Sequence, residues 1–441
     1  MNVRYAAKAF VIGILMVILL IPLGLINATI KDRANYRQEA VTKIAESYAG
    51  PQLVSGPVLV VPYVETRREQ GLDNFGKTVE LVKREPGRWL FFPRTLSMEG
   101  QVLPSERRLG LHRVRVYELR SSLRATFDAQ LPPDPGGVRE IGVPYLSMSI
   151  ADVRGLVGTP SLEVDGVAVK LRQGNGGHRE GRGLHAMLAV APGAGTRLRL
   201  GLRFASTLGG TESLQVVPIG DSNHIVLSSS WPHPQFSGRF LPRERRIGAD
   251  GFRAAWDISS LATAAQAQYS GGTEANAVEA LQLGLVDPVN VYMQADRASK
   301  YGILFVLLTF VGFLMFELLK QLPIHPIQYG LVGLALAVFF LLLLSLSEHM
   351  EFWQAYLAAA VACIGLQGTY LSAVLKSRAR GWGFAGALTL LYGALYGLLV
   401  SEDNALVLGS LMLFAILAAI MLATRRIDWY SAAPAAAAPP I

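Results

Sequence analysis

Five histidines, His112, His178, His185, His224 and His233, are the residues in the middle of this chain best suited to move a proton near neutral pH. Acyl transfer would pair one of them with an activated nucleophile, but no serine sits in a G-x-S-x-G elbow. The histidines are scattered, and no catalytic residue is assigned. Glu348, His349 and Glu351 lie in one short polar break, and Glu402 and Asp403 lie in another. Oxygen and nitrogen ligands of this kind can hold a cation. Without HExxH or EF-hand spacing, however, no metal site and no cofactor are expected. The glycine-rich run 173–183 (QGNGGHREGRG) lacks the strand and helix that flank a phosphate cradle, so a surface loop is expected there. Cys363, the single cysteine, falls in an apolar run and suits packing. No disulfide can form within the chain.

The least ordinary stretch is 228–242, SSSWPHPQFSGRFLP. Pro232 and Pro234 remove two backbone donors and hold the chain extended, which a central strand does not tolerate. Trp231, Phe236 and Phe240 beside Arg239 form a composition common at binding hot spots. The candidate partner-binding residues are therefore Trp231, Pro232, His233, Pro234, Phe236, Arg239 and Phe240. A crossover whose aromatics cap the core accounts for the same composition.

The elements that must position these residues differ along the chain. Five apolar stretches, Tyr301–Leu319, Ile327–Leu346, Phe352–Leu375, Trp382–Val400 and Ala405–Ala423, follow one another with short breaks. About 20 residues at 1.5 Å rise cross a ~30 Å hydrocarbon core. At the N-terminus Arg4 and Lys8 precede an apolar run to Ile26, which is longer than a signal-peptide core and lacks a small-x-small cleavage site. It is expected to remain as a signal anchor. Beyond it Ile30, Ala34, Val41, Ile44 and Tyr48 form one helical stripe that ends at Gly50-Pro51. From Ser55 to Ile258 the texture is strand-like. Arg197–Phe204 (RLRLGLRF) alternates almost strictly, and Asp165-Gly166 is a hairpin signal. Such a pattern predicts antiparallel, sandwich-like packing. Residues 261–285 are expected to be helical, broken at Gly271-Gly272.

Of 41 Lys and Arg, 33 lie between Thr29 and Lys300, against 27 of 33 Asp and Glu. That surplus could attract anionic lipid, nucleic acid or acidic polysaccharide, but it is scattered rather than massed, as on a solvated surface; no nucleic-acid partner is expected. With the N-terminus inside, one crossing exports 29–300. The predicted inner loops then hold Lys320, Lys376, Arg378, Arg380, Arg425 and Arg426, while the short outer loops hold no Lys or Arg. This is the positive-inside bias. The apolar stretches have no charged residue at their midplanes; Glu317 lies near an inner end, where it can reach the interface. Gly393 and Gly397 form a GxxxG pair suited to helix packing within one bundle or to a homo-oligomer. Gln354 and Gln367 are the amides available to line a path.

The segments SSSWPHPQFSGRFLP, DRASKYGILFVLLTFVGFLMFE (296–317), HPIQYGLVGLALAVFFLLLLSLSEH (325–349) and TRRIDWYS (424–431) resemble the CreD family of bacterial inner-membrane proteins. The likeness runs from Asp32 to Ser431. It implies an anchor, a large periplasmic domain, a membrane bundle and a role in cell-envelope integrity under a stress regulon; it brings no catalytic residues. The expected fold is an α+β membrane protein with six transmembrane helices, one N-terminal and five C-terminal, and a large β-rich, sandwich-like exported domain. Its expected divisions are 1–28 (cytoplasmic start and signal-anchor helix), 29–300 (periplasmic stalk and β-rich domain), 301–424 (five-helix bundle) and 425–441 (cytoplasmic tail). The expected function is support of the envelope through a periplasmic domain that binds an envelope component or protein partner. The alternative is a transporter, or an accessory subunit of one, for an amphipathic or lipid-like substrate.

Overall fold

The computed structural model describes residues 3–72, 78–134, 139–177, 182–273, 277–285, 291–320, 324–401 and 405–425. His178, Glu402, Asp403, Arg426 and the tail 432–441 lie outside the described residues. The chain divides into two compact units, 1–37 with 289–441, and 38–288. One helix, α1 (Val3–Ser47), gives its longer part to the first unit and its last turns to the second.

In the helical unit, α1 is joined by α3 (Val291–Lys320), α4 (Pro326–Ser347), α5 (Phe352–Val374), α6 (Arg378–Val400) and α7 (Ala405–Thr424). The short α2 (Ala265–Ser270) belongs to the other unit. Five helices, all but α2 and α7, are long and apolar enough to cross a membrane; Val407–Ala418 of α7 forms a shorter apolar run. Ile12, Leu19, Leu23, Ile26 and Ile30 put one face of α1 into a core shared with α3 to α6. Glycines permit the approach: a Cβ on Gly333 would meet Leu19 and Phe310, and one on Gly302 would meet Leu23 and Phe340. α4 starts cleanly because His325 caps it, Gln328 closes the capping box and Pro326 opens the first turn.

Among its described residues the other unit holds seventeen strands: β1 (Gln52–Leu72), β2 (Thr78–Phe91), β3 (Thr95–Leu109), β4 (His112–Gln130), β5 (Arg139–Ile141), β6 (Tyr145–Ile150), β7 (Leu156–Val164), β8 (Val167–Ala168), β9 (Arg172–Gln173), β10 (Gly183–Met187), β11 (Arg197–Thr211), β12 (Ser213–Val216), β13 (Ser222–Ser229), β14 (Gln235–Gly238), β15 (Glu244–Gly248), β16 (Gly251–Ser259) and β17 (Leu281–Gly284). One sheet runs β14-β17-β12-β1-β6-β10-β9, with β2 and β5 also on β1; the other runs β15-β16-β13-β3-β4-β11-β7-β8. A single apolar cluster draws on both, with Val58, Leu59, Val60 and Val61 from the first and Met98, Leu119, Ile225 and Trp256 from the second.

Local sequence explains much of this. In Arg197–Phe204 the leucines and Phe204 are buried and the arginines exposed, as the alternation requires. Asp165 and Gly166 both have positive φ (49° and 80°) and turn β7 into β8, with Val164 opposite Val167. Two expectations are corrected. Among the described residues of 261–285 only Ala265–Ser270 is α-helical, and Leu281–Gly284 is a strand. Leu281 and Leu283 enter the core while Gln282 is less buried, a period of two that four residues among alanines and glutamines hardly reveal. The sheets also contain two parallel pairs, β1 with β12 and β3 with β13, among antiparallel ones. α3 begins at Val291, ahead of the apolar run expected from Tyr301.

Candidate functional site

The stretch 228–242 carries the chain from β13, in the second sheet, to β14, in the first. Pro232 and Pro234 fall between those strands, where no ladder hydrogen bond is lost. Trp231 is half-buried and held on three sides. Its backbone N–H donates to Ser229 Oγ (3.1 Å), its Nε1 donates to the His233 carbonyl (2.9 Å), and the Arg115 guanidinium lies 4.0 Å from its ring centroid. Phe236 stands edge-on to Phe252 and Trp256, each at 5.6 Å, and the Phe240 carbonyl accepts from Trp256 Nε1 (3.1 Å). The aromatics thus cap the core, whereas His233 and Arg239 are exposed. Arg239 reaches Glu279 at 3.4 Å. Glu279 also accepts from Ala264 N–H and the Thr263 hydroxyl, and these donors with Arg239 hold its carboxyl below the usual range. An open groove of about 500 Å³ lies here between Arg239, Gln215, Gln268 and Gln282.

The structure does align one nucleophile-base-acid row that the sequence could not reveal. Ser97, His224 and Asp257 are register partners across β3, β13 and β16, and His224 Nδ1 lies 2.6 Å from Asp257 Oδ1. The His224 and Asp257 side chains are 53% and 48% exposed, so water screens the pair. At this row β3 and β13 are paired on both sides, so their N–H groups serve the ladders, whereas β15 stops at Ala255, short of Asp257 on β16. His185 Nδ1 meets the Gly174 carbonyl at 2.7 Å.

Sequence reasoning missed the joint at the end of α1. Asp152 Oδ1 and Oδ2 take a two-point grip from Arg154 Nε and Nη2 (2.9 and 2.6 Å). Asp152 also accepts from Gly50 N–H (3.1 Å) and caps the turn at Arg154. The guanidinium, followed by those backbone donors, lowers the Asp152 carboxyl to about 2. Arg154 then donates to the Glu46 and Ala45 carbonyls, which α1 leaves open at its C-terminus. Buried Gln52 donates to the Asp152 and Gly209 carbonyls (2.9 and 2.8 Å) and accepts from Asp152 N–H (3.2 Å).

Inside the helical unit, Glu317 is buried and accepts from the Tyr329 hydroxyl at 2.7 Å. Gln354 is exposed and Gln367 is buried on α5, so the two amides do not share a path. Neither amide atom of Gln367 has a partner among the described residues. Glu348 binds Tyr292 and Arg33 (3.3 and 3.7 Å), His349 the Ser345 carbonyl, and Glu351 the Trp353 indole. Among the described residues no three metal-ligating side chains converge. α5 and α6 touch at Gly381, where a Cβ would meet Ser372 N at 2.5 Å, and at Gly368. Among the described residues a Cβ on Gly393 or Gly397 would meet nothing within 4 Å, so there this GxxxG pair makes no close helix contact. Instead, Gly393 lines an apolar groove of about 520 Å³ with Trp353, Tyr356, Val361, Trp382 and Tyr396.

The profile of the family described as "Inner membrane protein CreD" matches residues 4–430. The Escherichia coli (strain K12) "Inner membrane protein CreD" is 37% identical over 419 residues, covering 94% of this chain and 92% of that protein. Among solved structures, the M1 zinc metallopeptidase of Deinococcus radiodurans aligns at 10% identity over 44% of this chain and 42% of its own, with a TM-score of 0.23. So low a score carries no argument about fold or activity.

Proposed function

The chain belongs to the family of the inner membrane protein CreD, and from that premise we propose that it supports the integrity and stress response of the cell envelope. In this reading the β-rich unit is exported, its two sheets close as a sandwich, and it binds an envelope component or a protein partner without enzymatic chemistry. Six crossings, with α7 as the last, leave both termini in the cytoplasm. The distribution of Lys and Arg among the short loops supports that orientation.

One observation carries the binding reading. Trp231 is fixed by Ser229, His233 and Arg115, while His233 and Arg239 remain exposed on the same short segment. An aromatic held rigid beside exposed polar groups loses little entropy when a partner docks. The test is photo-crosslinking in cells from full-length protein carrying the crosslinker at His233 or Arg239. Both positions should capture the same species, and Trp231→Ala should reduce capture at least several-fold. Capture that is absent, or indifferent to Trp231→Ala, would sink the assignment.

The groove beside Gly393 favours a second reading, an accessory role for a lipid-like substrate. In that case Trp382→Ala, rather than Trp231→Ala, would impair the cellular phenotype.

A further inference from the structure

The hairpin of β3 and β4 ends in a tip unlike the rest of the β-rich unit. Leu109 pairs with His112 around Gly110 and Leu111, and Gly110 has φ 61°, the conformation a tight turn starting with glycine uses. Leu109 and Leu111 are 40% and 55% exposed, at a point where a turn ordinarily presents polar residues. Between Ser105 and Arg115 the sequence SERRLGLHRVR carries four arginines and one glutamate. Arg108 and Arg113 are directly opposed in the register, a like-charge pair that weakens a hairpin in water. Arg113 approaches Glu106 at 3.8 Å, and Arg107 lies over the Tyr48 ring at 5.8 Å. Arg108 has no acidic partner opposite it.

The base of the same hairpin is firmly held. Val114 and Val116 pack with Val41 and Ile44 of α1, and Tyr48 donates to the Tyr117 carbonyl. The tip is therefore presented by a supported strand pair. Gln38, where the chain enters this unit, follows Ile26 at the end of the apolar run by about three helical turns.

We propose that the 107–113 tip is a lipid-surface contact. Leu109 and Leu111 enter the interfacial layer of an anionic phospholipid bilayer, and Arg107, Arg108 and Arg113 pair with its phosphates. The apolar residues suit the acyl boundary, and the opposed arginines find counter-charge in the headgroups. The Trp231 segment touches the same hairpin at Arg115 but shares no residue with the tip, and the lipid contact does not depend on the partner proposed for that segment.

The test uses the full chain in nanodiscs, with Cys363→Ala as background and a polarity-sensitive fluorophore on Leu111→Cys. A control label sits on Val167→Cys at the β7–β8 turn, which is also exposed. Discs contain either zwitterionic lipid alone or one part in three phosphatidylglycerol, both with a quencher borne at the headgroup level. In anionic discs the label at 111 should be quenched several-fold more than the one at 167. Arg108→Ser with Arg113→Ser should reverse most of that difference, each arginine being worth about fivefold in partition. Equal quenching at 111 and 167 overturns the proposal, as does quenching at 111 that ignores both lipid charge and the arginines. A label at 111 that stays in water in both discs, yet crosslinks to a protein in cells, overturns it in favour of a protein-docking surface.

Discussion

At the scale of single residues, Asp152 holds a joint of the fold, and the Trp231 segment divides between core and surface. The Asp152 carboxyl is depressed to about 2, against an ordinary value near 4, by the Arg154 grip and two backbone donors. A depressed carboxylate stabilises the fold above its unfolded pKa and loses that contribution as pH falls through the folded one. Its share, at most about 2 kcal/mol because solvent screens the half-exposed Arg154, should be intact above about pH 4 and largely lost by pH 2. Thermal unfolding followed from pH 5 to 2 should therefore show a steeper loss for the parent protein than for Asp152→Asn, which has no carboxylate to protonate. In the crossover, Phe236→Ala should cost about 2–3 kcal/mol, because it empties the space against Phe252 and Trp256. Arg239→Ala should cost under about 1 kcal/mol, since that side chain is 72% exposed. Denaturation midpoints distinguish the two. The residue types in this stretch were legible as unusual from sequence. Their division between core and surface was not, because Arg115, Phe252 and Trp256 reach it from distant strands.

At the scale of elements, local periodicity was readable and long-range pairing was not. The alternation of β11 and the Asp165-Gly166 turn are written in adjacent residues, and the structure follows them. The parallel pairs β1–β12 and β3–β13 join segments more than a hundred residues apart and leave no local trace. β17 is four residues long and is defined by its neighbours β12 and β14. The helices offer a similar contrast. Gly381 and Gly393 belong to one helix, yet Gly381 sits against the Ser372 backbone, while a Cβ on Gly393 would meet nothing within 4 Å among the described residues. Gly381→Leu should force α5 and α6 apart and lower the melting temperature in detergent by several degrees. Gly393→Leu should leave the melting temperature within about a degree. If Gly393 and Gly397 join two copies of the chain, the same change should abolish crosslinked dimers; dimers surviving it would remove that pair as the interface.

For the whole molecule, five helices with the length and apolarity of spans and a family of inner membrane proteins agree on the bilayer. The orientation has its own measurement. Reporters active outside the membrane should work when fused after Gly210, Met350 or Asn404 and fail after Lys320 or Arg378; activity at Arg378 would rule out six crossings. The order of strands also sets a timetable. β1 meets β2 along Leu59–Leu72 as soon as that hairpin is made, but its first residues, Gln52–Val54, pair with β12 at Leu214–Val216. At a synthesis rate of about 5–20 residues per second, the stretch from Val54 to Leu214 takes roughly 8–32 s. Throughout it, the start of β1 lacks the neighbour that β12 will supply, a period in which a stray strand from another chain could take the vacant position. Slowing synthesis between Leu72 and Leu214 should therefore raise the fraction that aggregates.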